Sequence, residues 1–320
     1  MEKLQWGFIG CGNVTEVKSG PAFWQPGVST VAAVMRRNRQ LAMEYAARFG
    51  VGRYYDDAYT MLDERAANAI YIATPPGSHE EYALAAIARG YPVYIEKPVG
   101  ADAAAAHRIA NAVSESGVKA SVAHYRRRLR PFTCVRELLQ EGFIGKVHAI
   151  QLRLWKHVSL EQAGWRVDPA QSGGGIFHDL APHQLDIMLW LFGMPQACNG
   201  MSTGPDPRIA QTVSGQILFE NDILFNGSWD FNVPEEETAD ECIITGSNGS
   251  IHFSFFTNFD HVTLHSNGRT QAFRFDIPAH VQEPFILDVI KYFRGEGPNP
   301  CSIAEAATGM DIMEKLLGRY

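Results

Sequence analysis

Between residues 4 and about 122, short apolar runs alternate with stretches of helical spacing. Runs at residues 6–9, 30–35, 69–73, 93–95 and 119–122 predict buried strands. Alanine-rich patterns at 41–49, 79–89 and 101–116 predict helices, the last opened by Asp102 as its cap. Strand and helix in alternation imply βαβ units, hence a parallel sheet flanked by helices. After about residue 124 the rhythm changes. Apolar and polar positions alternate along strands joined by tight turns at 220–223, 246–249 and 266–268. That pattern predicts a large, mainly antiparallel open sheet, with helices at 131–140, 181–191, 284–293 and 304–317 covering one face. The expected class is α/β, with domains at 1–122 and 123–320 joined directly near residues 120–125 and the site in a cleft between them.

Composition narrows this further. A chain of 320 residues, 46% hydrophobic and 20% charged, suits two globular domains without long disordered tails. No apolar run approaches the roughly 20 residues of a membrane span. The sequence enters a strand pattern at once, with no signal-peptide features. Five scattered cysteines form no C-x-x-C pair. A reducing, cytoplasmic location is therefore expected, with no membrane partner. The net charge of −7 argues against nucleic acid as the partner.

Directly after the first strand comes Gly10-Cys11-Gly12-Asn13-Val14-Thr15, a turn that brings backbone N–H groups and a helix start up to a pyrophosphate. Its position at the head of the βαβ series marks a Rossmann dinucleotide-binding domain, although Thr15 stands where the fingerprint has a third glycine. At the end of the second strand, where an NAD enzyme places a carboxylate on the ribose, this chain has Arg36 and Arg37. Guanidinium groups match a 2′-phosphate by charge-assisted hydrogen bonds, so NADP(H) is expected in preference to NAD(H), which stays open as the second cofactor. The competing view is a solvated basic run.

Two further stretches carry chemistry. Glu96-Lys97-Pro98 closes a buried-type strand at the sheet edge where ligands collect, and a lysine there can donate to a carbinol or carbonyl oxygen. Downstream, Gly173-Gly174-Gly175 precedes Asp179, His183 and Asp186, whose spacing shares one helical face if the helix already runs at Asp179. A histidine beside a carboxylate suits proton transfer coupled to hydride transfer. A metal site at His178, Asp179 and His183 is disfavoured, because adjacent residues point to different faces and no further ligand set stands out. No metal is expected.

Taken in order, Gly10-x-Gly12, Ala73-Thr74-Pro75-Pro76 with His79, Glu96-Lys97-Pro98, and the glycine triplet with Asp179-x-x-x-His183 resemble the Gfo/Idh/MocA oxidoreductases along essentially the whole chain. The resemblance implies that Lys97 contacts the substrate oxygen, that His183 is the general acid/base, and that Asp179 binds or orients substrate. It also implies that Arg127 lies on the substrate side and that Thr74, Pro75, His79 and Glu96 line the dinucleotide. Tyr125, Arg127, Trp165 and Arg166 would add hydrogen-bonding forks and aromatic surface suited to a hydroxyl-rich ring. His178, where the family commonly has an apolar residue, stands as a competing proton donor. The implied activity is hydride transfer between nicotinamide and a carbon of a sugar or polyol. A nicotinamide-dependent glycosidase and a non-catalytic NADP-binding regulator are the alternatives. Strands at 242–244 and 251–255 look apolar on more than one face, and together with the resemblance they imply a homodimer or homotetramer built through the second sheet.

Overall fold

The structure is a computed structural model that describes residues 3–159, 164–206 and 208–319. The chain divides into two compact units, Met1–Tyr125 with Pro278–Thr308, and Arg126–Ile277 with Gly309–Tyr320.

In the first unit, β1 (Leu4–Ile9) and β2 (Ser29–Met35) lead to α1 (Arg39–Phe49), β3 (Arg53–Tyr55), α2 (Ala58–Asp63) and β4 (Ala69–Ile72). Then follow α3 (His79–Ala88), β5 (Val93–Ile95), α4 (Ala103–Ser116) and β6 (Ala120–Val122). The strands form one parallel sheet in the order β3-β2-β1-β4-β5-β6, the strand order of dinucleotide folds, whose crossover point lies between β1 and β4. Trp6, Phe8, Ile9 and all of β4 and β5 are buried, because helices cover both sheet faces. That is why these strands read as unbroken apolar runs. Asp102 caps α4 as expected, accepting from the Ala105 amide at 2.7 Å. β3 and α2 were not expected from the sequence, because at three and six residues they are too short to establish a period.

In the second unit, α5 (Arg130–Gln140) is followed by β7 (Val147–Trp155), α6 (Pro169–Ser172) and α7 (Ile176–Phe192). Seven strands follow: β8 (Pro195–Thr203), β9 (Thr212–Phe219), β10 (Ile223–Asp230), β11 (Ala239–Gly246), β12 (Gly249–Phe253), β13 (His261–Ser266) and β14 (Arg269–Arg274). They pair with β7 in the order β14-β13-β12-β11-β7-β10-β9-β8, antiparallel throughout except for β7 with β10. Two of the predicted turns rest on left-handed residues, Asn221 with Asp222 and Asn267 with Gly268, as two-residue hairpin turns require. One sheet face is apolar. Trp229 meets Phe177 edge-to-face at 5.3 Å and donates its indole N–H to Gln184 at 2.6 Å, fixing α7 against the sheet.

The opposite face corrects one expectation. Cys242, Ile244, Ile251, Phe253 and Phe255 are all buried, whereas the alternate positions Ile243, His252 and Ser254 are only half-buried. The strict alternation of a half-covered sheet accounts for this, and the second face is mixed rather than apolar. A groove of about 660 Å³ on β7–β10 is lined there by Gln151, Asn199, Met201, Gln216 and Asn226.

After β14 the chain forms α8 (Glu283–Arg294) and α9 (Ile303–Leu316). Residues 278–308 group with the first unit, so the second is not the continuous 123–320 segment expected. The reason is packing. Phe285 stacks on Tyr94 and Phe293 on Trp6, at 6.4 and 5.4 Å between rings, while Lys119 donates to the Tyr292 and Phe293 carbonyls at the end of α8. Among the described residues, no helix is long and apolar enough to cross a membrane.

Candidate functional site

The glycine turn after β1 combines close packing with open space. Gly10 has φ +94°, and a Cβ there would lie 2.8 Å from the Thr74 amide nitrogen, so only glycine fits between β1 and the end of β4. A Cβ at Gly12 would meet nothing within 4 Å, which leaves room for a ligand phosphate to approach the backbone. The helix expected to follow is instead a single π turn, Val14–Lys18, and a short 3₁₀ segment, Gly20–Phe23. Thr15 is the cause. Its buried hydroxyl donates to the Gly12 carbonyl at 2.8 Å and accepts from the Gly12 amide at 3.0 Å. Tyr45 in turn donates its hydroxyl to the Thr15 carbonyl. The threonine thus closes the turn on itself, with the exposed Asn13 and half-buried Val14 next in line. Cys11 is buried, and burial pushes its thiol up to about 11, so it stays protonated.

Arg36 is half-buried and Arg37 exposed at the end of β2. Neither side chain has a hydrogen bond or ion pair to another described residue, in contrast to Arg39, which pairs with Asp56, and Arg48, which pairs with Glu16. Both therefore keep their full donor capacity for an anion. With the space at Gly12, these residues fit a dinucleotide.

Thr74 and Pro75 lie half-buried at the end of β4. His79 is placed differently from expectation. It is fully buried, with Nδ1 2.9 Å from the Pro98 carbonyl and Nε2 2.7 Å from the Thr74 carbonyl. Both ring nitrogens face backbone carbonyls, to one of which a neutral ring can donate, so His79 braces the loops after β4 and β5 rather than lining a ligand surface. Burial holds it neutral, at about 4. Glu96 is also turned inward, its Oε1 accepting from the Tyr71 hydroxyl at 2.6 Å and from Gln282 Nε2 at 2.7 Å. Gln282, just ahead of α8, was invisible to sequence reasoning because it lies far along the chain. Lys97 follows at the strand end, half-buried, and Tyr125 is buried.

In the second unit, α7 begins at Ile176, five residues before the predicted start, and so runs through Asp179. Ser172 Oγ accepts from the Gly174 and Gly175 amides, and buried Phe177 anchors the first turn, so the helix forms despite Pro182 within it. Asp179, His183 and Asp186 consequently follow one another along one helical face. Arg166 donates Nε to Asp179 at 2.6 Å, and its guanidinium stacks over Trp165 at 4.8 Å. Trp165 and Arg166, expected together on the substrate side, thus join Asp179 in one polar and aromatic cluster.

Arg127 lies deeper than its expected place on a ligand surface. It is 4% exposed, and its Nε and Nη2 donate to the buried Asp186 carboxylate at 2.7–3.1 Å. The two lie 59 residues apart, so the pair could not be read from spacing. Arg127 ties its segment to α7 through this pair. His178 is corrected as well. Burial lowers it to about 4 and its ring packs on Gly174, where any Cβ would lie 2.0 Å away, so it is a neutral buried group and not a second proton donor.

Residues 4–124 match the model of the oxidoreductase family with an NAD-binding Rossmann fold, and residues 132–252 match the GFO/IDH/MocA C-terminal domain. The chain is 43% identical over 321 residues to Oxidoreductase P35 of Formosa agariphila, covering 99% of each protein. It is 27% identical over 197 residues to the scyllo-inositol 2-dehydrogenase (NADP(+)) of Bacillus subtilis, covering 62% of this chain and 54% of that one. Among solved structures, levoglucosan dehydrogenase in complex with NADH and levoglucosan matches with a TM-score of 0.86 at 21% identity, over 98% of this chain and 96% of the other.

Proposed function

We propose, on the premise that this chain belongs to the GFO/IDH/MocA oxidoreductase family, that it is an NADP(H)-dependent dehydrogenase or reductase acting on a carbinol carbon of a cyclic polyol or sugar. The observation that carries the reading is α7 running through Asp179, which sets that carboxylate and His183 one helical turn apart on a single face. The Gly10–Val14 turn would hold such a dinucleotide, with Arg36 and Arg37 available to its 2′-phosphate and Thr74 and Pro75 available beside it. Glu96 and His79 support that region from within the sheet.

When bound, the nicotinamide supplies the hydride acceptor or donor. In the oxidative direction the Lys97 ammonium donates a hydrogen bond to the substrate oxygen, and His183 takes the hydroxyl proton as the carbonyl forms. Asp179, held by Arg166, accepts from a neighbouring substrate hydroxyl, and Trp165 offers apolar surface to the ring. Relatives named for scyllo-inositol and levoglucosan support a ring substrate, and an apolar ketone would leave these polar groups unpaired.

The test is a nicotinamide-absorbance screen with NADP and NADPH across inositols, anhydrosugars, aldoses, sugar phosphates, 2-oxo acids and aliphatic carbonyls. Turnover is expected with rings. Lys97→Ala and His183→Asn should each lower kcat by about 10²-fold or more while cofactor affinity stays unchanged. Turnover confined to 2-oxo acids and aliphatic carbonyls contradicts the substrate class, and silence across the panel contradicts the dehydrogenase reading.

Assembly through the outer face of the second sheet into a homodimer or homotetramer belongs to the same proposal, supported by the large groove and the exposed Met201 and Leu224 on that face. Light scattering at micromolar concentration should show more than one copy; a strict monomer contradicts it.

A further inference from the structure

The loop between β12 and β13 is fixed with unusual care for a surface connection. The Asp240 carboxylate, at the start of β11, accepts three consecutive backbone N–H groups: Phe255 to Oδ1 at 3.1 Å, and Phe256 and Thr257 to Oδ2 at 2.5 and 2.7 Å. Charge-assisted bonds of this kind to both carboxylate oxygens hold the backbone in one geometry. The side chains are pinned as well. Phe255 is fully buried against Phe132 and Phe253, and the buried Arg126 guanidinium lies over the Phe256 and Phe259 rings at 4.7 and 5.2 Å. Asn258, in the left-handed region, completes the turn.

The product of this arrangement is the placement of one aromatic ring. Phe256 is only half-buried, and it meets the buried imidazole of His183 edge-to-face at 5.8 Å. A core phenylalanine needs no such support, and a solvated one gains nothing from it. We propose that Phe256 is a specificity-determining residue: an apolar wall beside His183 that packs against the C–H face of a ring substrate, with Asp240 as the residue that positions it. A cyclic polyol presents an apolar patch of ring C–H groups, whereas a linear polyol does so only after ordering several rotors. The wall therefore favours rings over chains. This rests on the reading of His183 as the acid/base group.

The experiment compares kcat/KM for ring substrates (levoglucosan, myo-inositol) and linear ones (sorbitol, glycerol) in the full-length parent, Phe256→Ala, Phe256→Trp and Asp240→Asn, each with NADP. Phe256→Ala should lower the ring-to-linear ratio about 10-fold, through a raised KM for the ring, with NADPH affinity and Tm near the parent's. Phe256→Trp should keep the ratio within about three-fold. Asp240→Asn, which retains one acceptor oxygen, should shift the ratio in the direction of Phe256→Ala. An unchanged ratio in Phe256→Ala, or an equal loss for rings and chains, overturns the proposal, and an unchanged ratio in Asp240→Asn alone overturns the positioning role. His183→Asn, run alongside, separates the two readings: full turnover there refutes the acid/base assignment, whereas the Phe256 ratio is read from variants that keep His183.

Discussion

Arginines in the two units have the same chemistry and opposite fates. Arg36 and Arg37 stand at the open end of β2 with no ion pair among the described residues, while Arg127 is buried with its fork closed on Asp186. From sequence both sets are candidates for an anion or a hydroxyl-rich ring. What separates them is burial: a guanidinium removed from water needs a fixed counter-charge, and Arg127 commits its Nε and Nη2 to Asp186. An unpaired arginine at a strand end is thus a better ligand-binding candidate than a paired one inside a helix cluster.

The comparison breaks most visibly if the buried pair is cut. Asp186→Ala should destabilise the protein by about 3–5 kcal/mol, since it strands a buried cation, and Arg127→Met with Asp186→Leu together should recover most of the loss. Chemical denaturation measures both. A loss below about 1 kcal/mol for Asp186→Ala would return Arg127 to the substrate side.

A second contrast sharpens the point with histidines. His79 and His178 are buried and neutral, each lowered from about 6.5 to about 4. The unfolded chain takes up their protons below about 6.5 and the folded chain only near 4. Stability is therefore full above pH 6.5 and falls as pH drops to 4, by about 3 kcal/mol per histidine. Tm against pH should show this acid limb, and His178→Phe should flatten it; a limb unchanged by that substitution would mean that His178 is not held neutral by burial.

Much of this was legible in the sequence, for identifiable reasons. Strands covered on both faces read as solid apolar runs, half-covered ones as alternation, and left-handed turns as Asn-Gly or Asn-Asp. The Gly10 turn, the Asp102 cap and the spacing of Asp179 and His183 are local and were visible. What stayed hidden is non-local. The pairing of Arg127 with Asp186, the return of α8 to the first unit, the clamp of Asp240 on the Phe256 loop and the inward turn of Glu96 toward Gln282 all join residues far apart along the chain. The early start of α7 was hidden for another reason: Pro182 ordinarily marks a helix beginning, and only the packing of Phe177 on Trp229 reveals the turns before it.

The most direct test of the account is the ratio of dissociation constants for NADH and NADPH, read by quenching of tryptophan fluorescence in the parent and in Arg36→Ala with Arg37→Ala. Two unpaired guanidinium groups on a 2′-phosphate predict tighter NADPH binding by about 1.5–3 kcal/mol in the parent. That preference should disappear in the double variant while Arg127→Met keeps it. Equal affinities in the parent, or a preference that survives loss of both arginines, would contradict the account.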